Sequence, residues 1–96
     1  MGIPKDRITQ TPPGVPAAGL VAKGEAQIGF QQVSEILPVQ GVDFAGALPA
    51  DIQHYTVFSG GLHAAAKEPE AARALMKFLR SAEAAPVIIG KGMETA

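Results

Sequence analysis

Apolar positions recur along this chain with several periods, and each period marks a different kind of element. The clearest pattern lies in the C-terminal third. Ala71, Ala72, Leu75, Phe78 and Leu79 follow i, i+3/i+4, i+7 spacing, with Glu70, Arg73, Lys77 and Arg80 opposite. That spacing puts one apolar stripe on a helix. Pro69 suits its first turn, and Glu68 and Glu70 favour its positive end. Ser81 is a good N-cap for a second helix running towards Gly90 or Gly92. Pro86 falls inside that helix, where it predicts a kink or a late start. Nearer the N-terminus, Val15 to Lys23 reads as a short helix, with Pro16 in its first turn, Leu20 and Val21 on its apolar side and Gly24 at its C-terminal cap.

Period-two and continuous apolar runs predict strands between these helices. Ala26-Gln27-Ile28-Gly29-Phe30 reads as a short strand after the glycine stop, which makes an αβ unit. A one-turn helix from Ser34 to Leu37 follows and is halted by Pro38. Val39 to Leu48 places Val42, Phe44 and Leu48 at even spacing with Asp43 on the other face, as in a strand wetted on one side. Pro49-Ala50-Asp51 makes a turn. Tyr55 to Ala66 is the strongest strand candidate, since Tyr55-Thr56-Val57-Phe58 is β-branched or aromatic throughout. The glycine pair in Ser59-Gly60-Gly61-Leu62 predicts a bulge or a close backbone approach there. Residues 1–14, with Pro4, Pro12, Pro13 and Gly14, read as an extended N-terminal segment.

Composition changes this picture in one respect. Hydrophobic residues make up 47% of the 96, but seventeen of them are alanine and only five residues are aromatic. Burying a full Leu or Phe yields roughly 1.5–3 kcal/mol and an alanine much less, so the expected core is thin. Eight basic and nine acidic residues, spread without runs, leave no basic face for nucleic acid. The absence of cysteine removes disulfides, thiolate metal sites and a thiol nucleophile. No stretch approaches 18 consecutive apolar residues, and Met1 to Arg7 is too polar for a signal peptide. By itself this chain is expected to remain in the cytoplasm.

Candidate chemistry is sparse. His54 and His63 are the only histidines, and neither shares a ligand-spaced motif with Glu35 or Asp51, so no metal site is expected. No Gly-x-Ser-x-Gly elbow surrounds Ser34, Ser59 or Ser81. Gly90-Lys91-Gly92 lacks the remainder of a phosphate loop and reads as a helix cap. No cofactor motif and no convergent acid–base set are present, so the expectation is a non-enzyme. One constellation remains. Gln31, Gln32 and Ser34 follow the expected strand end at Phe30, where open α/β sheets bind ligands and where amides and hydroxyls orient small polar or anionic solutes. An ordinary connection with a serine cap is the alternative.

Leu20-Val21-Ala22-Lys23-Gly24-Glu25-Ala26-Gln27-Ile28-Gly29 resembles the helix, Gly-Glu-Ala, strand passage of periplasmic solute-binding proteins of ABC transporters. The molybdate-binding-like group with the type II fold is the nearest. The later pieces agree in order: Gln31 to Leu37, Val42 to Leu48, Tyr55-Thr56-Val57, Lys67 to Ala72, Phe78 to Ser81 and Lys91-Gly92-Met93. The resemblance covers residues 15–96 and implies an α/β fold, an incomplete type II periplasmic-binding-protein-like fold with a short mixed sheet and C-terminal helices packed on it. It places residues 15–50 in a second lobe and residues 55–96 in a crossover strand and first-lobe helices, all from the C-terminal part of such a protein. It implies a small solute or oxyanion held by Gln31, Gln32 and Ser34, with Tyr55 near the crossing, no cofactor, a membrane permease as partner and a periplasmic location. With half a cleft and a thin core, a homodimer, possible by strand exchange, is expected. The effector-binding domain of a transcriptional regulator is the rival function on the same fold.

Overall fold

The computed structural model describes residues 2–95. It divides into two compact units, Met1–Phe44 and Ala45–Ala96. Four short α-helices and a single 3-10 turn at Lys5–Arg7 are the regular elements among the described residues.

In the first unit, α1 is Ala17–Ala22 and α2 is Val33–Ile36. Pro16 stands at the N-cap of α1, as its fixed φ and missing donor favour. The helix closes at Gly24, whose φ of 78° lies in the left-handed region. Gly24 N–H donates to Val21 O at 3.0 Å and Glu25 N–H to Leu20 O at 2.9 Å, the paired bonds of a Schellman cap. A Gly24→Ala variant should therefore lose about 1 kcal/mol of local stability, measurable as reduced amide protection across α1. α2 is a single turn, with Gln32 as its extended N-cap residue and Pro38 just beyond its end.

The second unit holds α3, Pro69–Leu79, and α4, Ala85–Gly90. Pro69 opens α3, and Glu70 bonds Arg73 at 2.6 Å on its outer side. Both partners are exposed, so the pair adds under about 1 kcal/mol. Ser81 Oγ accepts the Ala84 N–H at 3.3 Å, a side-chain cap on the turn that precedes α4. The helix starts late enough that Pro86 falls in its first turn, where no intrahelical donor is required. Gly92, at φ 83°, closes α4 with a second Schellman pair, Gly92 N–H to Ile89 O at 3.0 Å and Met93 N–H to Ile88 O at 3.2 Å.

The expected sheet is not there. No residue among those described is in a strand, so the α/β fold with a short mixed sheet and helices packed on it is overturned. Residues 26–30, 42–48 and 55–63 run as irregular chain, and a turn follows, with Ala66 N–H on His63 O at 3.0 Å. The reason is the asymmetry between the two kinds of element. A helix satisfies its backbone within one segment, whereas a strand exists only beside a partner. The turn at residues 49–52 does form, with Ile52 N–H on Pro49 O at 3.0 Å. With no strand present, Gly60-Gly61 makes no bulge; an added Cβ at Gly60 would instead lie 3.6 Å from the Met76 methyl.

The core is as thin as the alanine content foretold. Ala18 and Ala84 are the only buried hydrophobic residues among those described, one in each unit. Eighteen large hydrophobic side chains are exposed, among them Phe30, Tyr55, Val57, Phe58, Leu75 and Phe78. The apolar stripe of α3 is formed but uncovered.

Candidate functional site

Gln31 is the residue that organises the first unit. Its side-chain Oε1 accepts the Ala18 N–H at 3.0 Å, across thirteen residues of sequence. Ala18 is the second residue of α1, so its N–H has no partner within the helix, and Pro16 has no side-chain acceptor to offer. Gln31 therefore supplies the cap that the local sequence lacks. Its Nε2 donates to Glu35 Oε2 at 2.8 Å, one turn further along. The amide thus bridges the start of α1 to α2 and leaves a second N–H for other use.

An open groove of about 830 Å³ lies beside this bridge. Gln10 to Ala17 line one side of it, and Phe30, Gln31, Ser34, Glu35, Pro38 and Val39 the other. Gln31 and Ser34 therefore share a wall. Gln32 does not line the groove; it is exposed and caps α2. Tyr55 is exposed and belongs to the second unit. No lysine or arginine is among the groove's lining residues, and Glu35 is its acidic member.

Thr11 and Glu35 are groove residues that the sequence did not single out for solute binding. Glu35 was detectable in principle, since a Gln and a Glu four positions apart at a helix start make a natural hydrogen-bonded pair. Thr11 had no signal, because its place depends on how the proline-rich segment folds back. Elsewhere, His63 Nδ1 accepts the Ala65 N–H at 3.1 Å in a local turn. No group of three or more metal-ligating side chains is gathered among the described residues. No helix there is long and apolar enough to cross a membrane.

A family model described as bacterial extracellular solute-binding protein matches residues 3–94. The chain belongs to that family. A curated relative, the aconitate isomerase of a Pseudomonas species, is 44% identical over 82 residues. Those residues are 85% of this chain, and the chain spans 31% of that relative's length. No solved structure matches it significantly. The resemblance to solute-binding proteins therefore holds at the level of the family.

Proposed function

We propose that this chain is the C-terminal part of an extracellular solute-binding protein and lends one wall of a non-covalent site for a small polycarboxylate. The match of the family model across residues 3–94 carries this reading. The choice of solute is supported by the relative, whose name gives aconitate, a tricarboxylate, as what it acts on. Gln31, Gln32 and Ser34 are the dipolar contacts. Because the groove brings no cation of its own, the charge-neutralising groups come from elsewhere in the protein. Neutral amides and a hydroxyl orient such a ligand without strengthening it much. The wider role follows from this, with solute delivery to the permease of an ABC transporter in the periplasm.

Aconitate, citrate and molybdate titrated separately into the 96-residue chain test the reading, followed by amide and side-chain NMR. The two tricarboxylates should shift Gln31, Gln32 and Ser34 with an affinity weaker than about 1 mM, since this wall orients the solute but does not neutralise it. Molybdate should leave them in place. Shifts confined to other residues, or none with either tricarboxylate, would overturn the site.

A second reading is favoured by the relative's name: an isomerase acting on the same kind of solute. Conversion of aconitate to an isomer by the chain, followed by proton NMR, would establish it in place of simple binding.

A further inference from the structure

Arg73, Lys77 and Arg80 lie along the polar side of α3, the last of them at its C-cap. Only Arg73 has an acid to match it. Glu70 holds its guanidinium, while neither Lys77 nor Arg80 makes an ion pair among the described residues. Lys77 and Arg80 are three positions apart, so they are neighbours on the helix surface, where like charges repel. Together with Met76 and Ser81 they line one open cavity of about 520 Å³. Small-molecule sites span about 300–1,000 Å³, so the space is of that order. Ser81 Oγ accepts the Ala84 N–H at 3.3 Å, which leaves its O–H as a donor. Met76 is the apolar member, with its methyl beside Gly60.

We propose that this cavity is a second ligand site, for a small organic phosphate. Three features select that class. Two uncompensated cations in one cavity call for a dianion, and a phosphate monoester carries about 1.5 to 2 negative charges at neutral pH. The Arg80 guanidinium brings a planar fork, Lys77 a compact ammonium and Ser81 a hydroxyl. Three such donors suit the three oxygens of a phosphoryl group better than the two of a carboxylate. Met76 offers its thioether to an organic body, which a bare inorganic ion would leave uncovered. An anion seated between Lys77 and Arg80 also relieves their mutual repulsion. The two cations stand on the opposite side of α3 from Leu75, Phe78 and Leu79, so the site does not draw on that exposed stripe. It is also independent of the solute proposed for the first unit, whose groove has no lysine or arginine.

Phenyl phosphate, inorganic phosphate and benzoate, titrated in turn into the 96-residue chain at low ionic strength, test it, with side-chain and amide NMR shifts as the readout. Phenyl phosphate should give saturating shifts at Lys77, Arg80 and Ser81. It should bind about threefold tighter than inorganic phosphate, through Met76, and about threefold tighter than benzoate, through its second charge. Lys67 and Lys91, exposed cations of the same unit outside the cavity, should move little. Arg80→Gln should weaken binding about fivefold, and Lys77→Gln should do the same. Arg80→Lys keeps the charge but not the fork and should recover part of the loss. Both side chains are exposed, so far-UV circular dichroism should not change in these variants. Met76→Ala should bring phenyl phosphate down to the level of inorganic phosphate. Equal, non-saturating shifts at Lys77, Lys67 and Lys91 would mean general attraction of counterions and would overturn the proposal. So would benzoate binding as tightly as phenyl phosphate, or unchanged binding in both glutamine variants.

Discussion

The denaturant m-value of this chain is expected to be about two-thirds of that of a self-sufficient domain of its size, because the slope scales with the surface that unfolding exposes. The physical cause is the near absence of an interior. Extended, a chain of this mass exposes about 14,400 Å², so the 8493 Å² left in the structure means that only about two-fifths is buried. A self-sufficient domain of this size buries about 60%. Two buried alanines cannot offset the entropy of ordering the helices, which costs about 1–2 kcal/mol per residue. Melting should therefore be broad as well. Scanning calorimetry at 5, 50 and 500 μM measures this. A sharp transition at one temperature throughout would show a core within the single chain.

The second large effect is expected at Gln31. Replacing it with alanine removes the acceptor for the Ala18 N–H and the donor to Glu35 together. Ala18 is only 5% exposed, so its N–H is left with little access to water. An unsatisfied buried donor costs about 1–3 kcal/mol, enough to fray a six-residue helix that tertiary contacts barely support. Cα chemical shifts of Ala17–Ala22 should move most of the way to random-coil values. Gln31→Glu separates the two roles. It keeps the acceptor for Ala18 but sets a carboxylate against Glu35, so it should lose part of the helix signal, and Glu35→Gln in the same chain should restore it. Shifts that stay helical in Gln31→Ala would remove Gln31 from its capping role.

This double engagement changes what Gln31 can do for a solute. Its carbonyl is committed to α1 and one N–H to Glu35, so it offers one remaining N–H held in a fixed direction. Ser34 stands on the same wall, and Gln32 reaches solvent from the cap position of α2. The sequence pointed to this short stretch by residue type alone. It could not distinguish a glutamine that contacts solute from one that caps a distant helix, because the bond spans thirteen residues and leaves no local signature.

The same division explains which elements were legible. The helices were readable because their signals are local, with Pro16 and Pro69 at the starts and Gly24 and Gly92 at the ends; Ser81 was expected to cap α4 but caps the turn before it, and the helix N-cap is Ala84. Even Pro86, an anomaly within a longer helix, is accommodated once the preceding turn delays α4. The strands were misread for a complementary reason. Tyr55-Thr56-Val57-Phe58 has strand composition, but composition expresses readiness to pair, and no strand forms among the described residues. The alanine-heavy composition foretold the thin core correctly. The amphipathic stripe of α3 foretold a packed face, and that face is open.

Amide hydrogen exchange, followed by mass spectrometry at a concentration where the chain is monomeric, tests this account most directly. Protection should be confined to the helices, with α3 and the capped ends of α1 and α4 slowest, and residues 26–30, 42–48 and 55–58 should exchange near the intrinsic rate. Slow exchange across all three irregular segments would reveal a sheet and an interior, and would contradict the central claim that this chain forms short helices around almost no core of its own.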